Sequence, residues 1–319
     1  MKIFHLLLII TLCSFATPTF AHEDPDQSGY IQVDGGKIWY RLNGLEHVGK
    51  TPAIIAMHGG PGGTHRGLMP YVELSDTYPV ILYDQLGNGM SAKFVDDIND
   101  QSTWTVEHFV KEISQIREAL GLDEVIIAGH SWGGTLSAEY AVKNEDGLRA
   151  AIFGSPLIST PQWVADNREW ISMLPQRYQE AINKHEAAGT FDDPQYREAE
   201  NAFYDEHMCH GNCVDRGFRD NGKRGNRDMY QTMWGPSEFT ANGTLQNYDI
   251  SPLLHTVEVP VLMICGEFDE AAPKSCKKFA GMVPDATNVV VPNAGHAILS
   301  EGKDLVVSTI REFLAEKLK

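Results

Sequence analysis

The chain has 319 residues, 42% hydrophobic and 22% charged, a composition that excludes disordered and fibrous classes. Its 26 basic and 43 acidic residues give a net charge of −17. So acidic a chain is no partner for nucleic acid, and its field favours cationic ligands. At the start, Lys2 precedes an apolar run over residues 3–12, broken only by His5 and Thr11. A small-residue stretch then ends at Thr19-Phe20-Ala21, which reads as a secretory signal over residues 1–21. That run is short for a bilayer span, and no later stretch is longer and as apolar. The expectation is a periplasmic or secreted protein with no stable membrane association once the signal is removed. Cys13 leaves with the signal, and Cys209, Cys213, Cys265 and Cys276 remain. In an oxidising compartment they permit two disulfides, and nearness favours Cys209 with Cys213 and Cys265 with Cys276. His207, Cys209, His210 and Cys213 imitate a metal cluster, but their spacing matches no standard zinc site, so no metal is expected.

The elements alternate. Residues 30–33 and 37–42, joined by Asp34-Gly35-Gly36, read as a β-hairpin. Short apolar strands are expected at 53–57, 79–83, 125–128, 150–153, 261–264 and 288–291. Val106, Phe109, Val110, Ile113, Ile116 and Leu120 recur at helical spacing before Gly121, and 135–142 suits a second helix. Leu305, Ile310, Phe313 and Leu314 mark an amphipathic closing helix over 304–318. A hairpin followed by repeated βα units predicts an α/β fold, an open and mostly parallel sheet covered by helices. Residues 157–250 break the rhythm, with aromatic and charged residues and no strand pattern. They read as a helical cap inserted into a core made of 22–156 and 251–319. Within the cap, 215–228 is polar and Gly-rich and reads as a loop.

The chemistry gathers at the ends of the strands. Gly129-His130-Ser131-Trp132-Gly133 follows one strand and precedes a helix, the context of a nucleophile elbow. Small residues flank the turn, Ser131 is lifted from the sheet, and the Trp132 N–H faces a developing oxyanion. A serine hydroxyl needs a base. His296, in Asn293-Ala294-Gly295-His296, follows the last strand, where sites of open α/β sheets lie. The orienting acid is expected after the preceding strand, where Gly266-Glu267-Phe268-Asp269-Glu270 offers three carboxylates. Asp269 is taken as the partner, with Glu267 and Glu270 as solvated loop acids. His58-Gly59-Gly60-Pro61-Gly62-Gly63 follows the strand at 53–57, and the N–H of Gly59 or Gly60 would complete the oxyanion hole. That loop has no Lys and no Gly-Lys-Ser/Thr ending, so it is no phosphate loop.

Together, His58-Gly59-Gly60-Pro61-Gly62, Asp84-Gln85-Leu86-Gly87-Asn88-Gly89 and Gly129-His130-Ser131-Trp132-Gly133-Gly134 resemble the proline iminopeptidase family of α/β-hydrolases. Trp234-Gly235-Pro236-Ser237-Glu238-Phe239 is similar to the branch that includes the tricorn-interacting aminopeptidases, and the 266–270 segment fits the family's acid segment. The resemblance covers nearly all of the chain after the signal. It implies an α/β-hydrolase fold and release of N-terminal residues, often proline, from peptides or amino-acid amides, without a cofactor. It also implies cap carboxylates that hold the substrate's α-amino group. Glu238 matches that motif position, and a second acid is sought among Glu200, Asp205 and Glu206, with Glu206 taken. Asn88 departs from the small Ser or Cys of many relatives. Trp163, Trp170, Phe203, Tyr204 and Trp234 are candidates for the walls of the pocket, although most cap aromatics only pack. An esterase or lactonase would use the same Ser131, Asp269 and His296 without a cap carboxylate. A non-catalytic ligand-binding protein would have no need of all three, and an epoxide hydrolase would need Asp in place of Ser131.

Overall fold

The computed structural model describes residues 24–97, 100–210 and 225–319. The signal reading, Cys213 and most of the 215–228 stretch lie outside the described residues. The strands are β1 Gln27–Val33, β2 Gly36–Asn43, β3 Ala53–Met57, β4 Val80–Asp84, β5 Val125–His130, β6 Leu148–Gly154, β7 Val261–Gly266 and β8 Ala286–Val291. They form one sheet in the order β1-β2-β4-β3-β5-β6-β7-β8. The hairpin β1–β2 pairs antiparallel, as does β2 with β4, and every later pair is parallel.

Alternation along each strand builds two cores. On β3, Ala53, Ile55 and Met57 face one apolar layer, while Ile54 and Ala56 face the other. The central strands are buried on both faces, which is why they read as unbroken apolar runs. Helix α1, Val106–Leu120, lies where its periodicity put it. The Thr105 side chain accepts from the His108 N–H at its start, and Gly121 ends it in a left-handed turn at φ 62°. Helix α2, Trp132–Ala141, begins three residues before the expected start. Gly133 and Gly134 are poor helix formers, and the tight packing of the elbow overrides that preference.

Between β6 and β7 come helices α3 Thr160–Met173, α4 Gln176–Ala188, α5 Pro194–His207 and α6 Arg227–Met233. Ile171, Ile182, Tyr196, Ala199, Phe203 and Phe239 give this insertion an apolar centre of its own. Its two ends lie side by side: Thr160 N–H donates to Tyr248 O, and Ile250 N–H donates to Ile158 O. The chain closes with α7 Pro273–Ala280, α8 Ile298–Glu301 and α9 Lys303–Lys317. A segment of 3₁₀ helix, His65–Asp76, follows the 58–63 turn, and the sequence reading missed both it and α7. Cys265 on β7 and Cys276 on α7 form a disulfide, and Cys209 is also disulfide-bonded. With its thiol so used, Cys209 is no thiolate ligand for a metal. Among the described residues, no helix is long and apolar enough to cross a membrane.

Candidate active site

Ser131 sits between β5 and α2 at φ 57° and ψ −122°, a strained conformation for a residue with a side chain. The strain is held from both sides. Ser131 N–H donates to Gly154 O on β6 (2.8 Å), and Thr135 N–H donates to Ser131 O (3.0 Å). A Cβ on Gly129 would strike Gly133 O, and one on Gly133 would strike Met57 O. This is why the flanking positions are glycine. Trp132 is the first residue of α2, so its N–H has no carbonyl partner within the helix.

The 58–63 turn is locked against this elbow. Gln85 Nε2 donates to His58 O (3.3 Å), and the Gln85 N–H donates to His58 Nε2 (3.1 Å). The same glutamine accepts from the buried indole Nε1 of Trp132 at its Oε1 (3.0 Å). Gly59 passes so near the serine that an added Cβ would lie 3.7 Å from Ser131 Oγ. Gly59 and Gly60 thus line the same cavity as Ser131, with Trp132 the next residue at the start of α2. Asp84 secures the neighbouring loop, accepting from the N–H of His65 (2.7 Å) and of Met90 (2.7 Å). Asn88 is wholly buried and its Nδ2 donates to Leu86 O (3.1 Å), and it is not among the residues lining the cavity at Ser131.

His296 and Asp269 meet at 2.7 Å, Nδ1 to Oδ1. Asp269 also accepts from the Ala271 N–H (2.8 Å), the Gly266 N–H (3.0 Å) and Ser155 Oγ (2.6 Å). Burial pushes its carboxyl up, but the His296 contact and these donors outweigh it and hold Asp269 below the usual range. Asp269 is thus an ionised, fully bonded partner that fixes the imidazole. His130 faces away from the hydroxyl chemistry: its Nε2 donates to His296 O (2.7 Å). Burial, with His296 adding to it, lowers His130 to about 4, so it is neutral. Ser131, His296, His130, Gly59, Gly60 and Glu238 line one cavity of about 550 Å3. Arg66 and Thr64 line it as well. A larger cleft of about 700 Å3, near Asp96 and Trp104, shares only Gly225 with it and has no such pairing.

The insertion brings Glu238 into this cavity. Trp163 Nε1 donates to Glu238 O (2.9 Å), and the Trp163 ring stands edge-on to His296 at 5.7 Å. Trp234 packs edge-on against Trp163 at 6.0 Å, whereas Phe203 belongs to the insertion's own apolar centre. Tyr204 lends its hydroxyl to the Glu238 N–H, and Trp170 Nε1 donates to Asp269 O. Burial pushes the Glu238 carboxyl up, partly offset by His296.

Two expectations about acids are corrected. Glu270 is no solvated loop acid: it is wholly buried, its Oε1 lies 3.6 Å from His296 Nε2, and neither carboxylate oxygen has a hydrogen-bond partner among the described residues. Burial, then Glu238 and Asp269, push its carboxyl well up. Glu206 is not brought to the cavity. Its carboxylate is 59% exposed and pairs with His210 at 3.7 Å, because it lies on the outer face of α5. Glu200, buried on that helix, is engaged by Arg197 and Tyr204. Sequence reasoning also missed Gln85 and Ser155, whose roles come from contacts distant in the chain.

Comparison with known proteins agrees with the geometry. The family model for the alpha/beta hydrolase fold matches residues 52–303. A proline iminopeptidase of Heyndrickxia coagulans is 38% identical over 90% of this chain and 98% of its own. One of Saccharolobus solfataricus is 34% identical over 90% and 92%. The crystal structure of the Mycobacterium smegmatis proline iminopeptidase superposes with a TM-score of 0.81 at 30% identity, covering 91% of this chain and 98% of the other. The fold and site therefore define a hydrolase. More narrowly, the chain belongs to the proline iminopeptidase family of α/β-hydrolases, a family of serine aminopeptidases.

Proposed function

We propose that this aminopeptidase releases N-terminal residues, proline among them, from short peptides and amino-acid amides through an acyl-enzyme on Ser131. His296 takes the Ser131 proton as Oγ attacks the carbonyl, and Asp269 stabilises the imidazolium. The N–H groups of Trp132 and of Gly59 or Gly60 hold the oxyanion. His296 then protonates the departing amine, and water releases the acyl group by the same route.

The observation that carries the exopeptidase reading is the pair Glu238 and Glu270 beside His296. Glu270 is wholly buried and Glu238 half-buried, the two carboxylates repel each other, and one without hydrogen bonds is costly unless a proton or a cation serves it. A substrate ammonium is that cation, one residue from the scissile bond. An internal peptide has none, so it leaves the pair unserved. Glu238 and Glu270, in place of Glu206, are the amine-binding acids of this reading. The test compares an N-terminally free prolyl or alanyl anilide with its N-acetyl analogue, with a fluorophosphonate as probe for Ser131. Strong preference for the free amine and labelling at Ser131 support it. Equal turnover of both substrates favours the esterase or lactonase reading.

The same reading places the protein outside the cytoplasm, periplasmic or secreted, after cleavage behind Ala21. The signal-like start and the Cys265–Cys276 disulfide support this. N-terminal sequencing of protein from the exported fraction tests it, with residue His22 expected first.

A further inference from the structure

Besides the Glu238 carboxylate, the catalytic cavity carries a lone basic side chain in its lining. Arg66 lies in the first turn of the 3₁₀ segment that follows the 58–63 turn, and it is exposed while lining the cavity that holds Ser131 and His296. It is the only Lys or Arg among the described lining residues. No ion pair engages it among the described residues, in a chain where acids outnumber bases 43 to 26. Its backbone is fixed from beneath. His65, the residue before it, gives both its N–H (2.7 Å) and its Nδ1 (2.8 Å) to Asp84 Oδ1. Thr64 lines the same cavity, and its hydroxyl is not spent capping the helix.

We infer that Arg66, with Thr64, binds the C-terminal carboxylate of the substrate, so that the preferred substrates are short peptides with both termini free. The inference rests on the aminopeptidase reading above. If Glu238 and Glu270 hold the terminal ammonium, the acyl residue is confined between them and Ser131. The leaving portion then extends along the rest of the lining, which includes Thr64, Arg66, Pro70 and Leu299. Of these, Thr64 and Arg66 follow directly on the oxyanion turn in the chain. A guanidinium there matches a carboxylate in charge and in its fork of donors. A cavity of about 550 Å3 suits a small ligand rather than a long chain. The lining thus carries an acid, Glu238, and a base, Arg66, as a zwitterionic peptide carries both charges. A long peptide brings only its ammonium to this cavity.

The experiment measures kcat/KM on three substrates of equal N-terminal residue: a dipeptide or tripeptide with free carboxylate, the same peptide as its C-terminal amide, and an anilide. The intact protein is expected to favour free acid over amide by about tenfold, the worth of one charge-assisted hydrogen bond that is partly exposed. Raised salt should shrink that ratio. Arg66→Gln should bring the acid-to-amide ratio to about one, mainly by raising KM for the acid, and Arg66→Lys should restore part of it. Equal rates on acid and amide in the intact protein overturn the inference, with anilide turnover showing that the aminopeptidase reading stands. An unchanged ratio in Arg66→Gln also overturns it. No turnover on any of the three substrates overturns that reading instead, and this inference with it.

Discussion

Glu270 Oε1 lies 3.6 Å from His296 Nε2, while Asp269 Oδ1 lies 2.7 Å from Nδ1 of the same ring. Two consecutive residues thus bracket one imidazole, and their carboxyls are pushed in opposite directions. Asp269 is held below the usual range despite its burial, by His296 and by donors from Ser155, Gly266 and Ala271. Glu270 has no donors among the described residues and is pushed well up. One side of the ring therefore meets a settled anion. The other meets a carboxyl whose charge is unfavourable until a cation arrives.

Ser131→Ala should abolish fluorophosphonate labelling and lower kcat by several orders of magnitude, roughly 10⁴-fold or more. The fold should persist, since alanine meets the same backbone strain at φ 57° as serine does. Circular dichroism and turnover on an aminoacyl anilide check both halves. A variant with a tenth of the normal rate would remove Ser131 from the nucleophile's role.

Glu238→Gln should lower kcat/KM for substrates with a free α-amino group by about 2–5 kcal/mol in transition-state binding, as for other desolvated charge pairs. Hydrolysis of a small neutral ester should change far less. Glu270→Gln should show the same split between substrates. Equal losses on amine and ester substrates would mean that these acids hold His296 rather than the ammonium.

Glu270 also makes a prediction about stability. Its folded pKa is raised, so the unfolded chain ionises first as pH rises. Folding then binds protons, and stability falls as pH rises from the usual carboxylate range toward the folded value. Glu270→Gln removes that loss. The variant should be more stable than the parent by about 0.5–2 kcal/mol at pH 7, and the gain should vanish near pH 4. Thermal unfolding at the two pH values measures it. A variant less stable at pH 7 would contradict the direction.

Gly133→Ala should fail to accumulate as soluble protein or should lose activity, since its Cβ would strike Met57 O. Backbone on both sides leaves nothing that can yield cheaply. The measure is soluble yield together with Ser131 labelling, and a well-folded, fully active variant would show that the elbow has room after all.

The legible parts of the molecule are those written in consecutive residues. The elbow around Ser131 declares itself because Gly129 and Gly133 are demanded locally, and α1 because its apolar residues keep one period between Thr105 and Gly121. The pairing of Asp269 with His296 is legible because each residue follows a strand. The acid proposed as the second amine partner lies on a different element from the one the sequence pointed to. Glu206 and Glu270 look alike in sequence, each an acid among polar neighbours. What separates them is the outward face of α5 for one and burial beside His296 for the other. Ser155 and Gln85 carried no signal, because their partners lie 114 and 27 residues away. The 3₁₀ segment that presents Arg66 contains Pro70 and lacks the 3.6-residue period, so pattern alone left it as loop.

The insertion enters and leaves the core at one point, where Thr160 and Ile158 bond to Tyr248 and Ile250. A segment whose ends already touch can be exchanged for another with little entropic cost of closure. Ser131, Asp269 and His296 stand on the core, while Glu238 arrives with the insertion. Glu270, next to Asp269, stays with the core, so the two acids of the proposed amine site are carried on separable parts of one chain. Replacing residues 160–248 with a foreign loop of matched ends would be a graft that keeps Ser131, Asp269, His296 and Glu270 and removes Glu238 alone from that pair. At that seam the reach of the site toward a substrate's amine can change while the core beneath it stays the same.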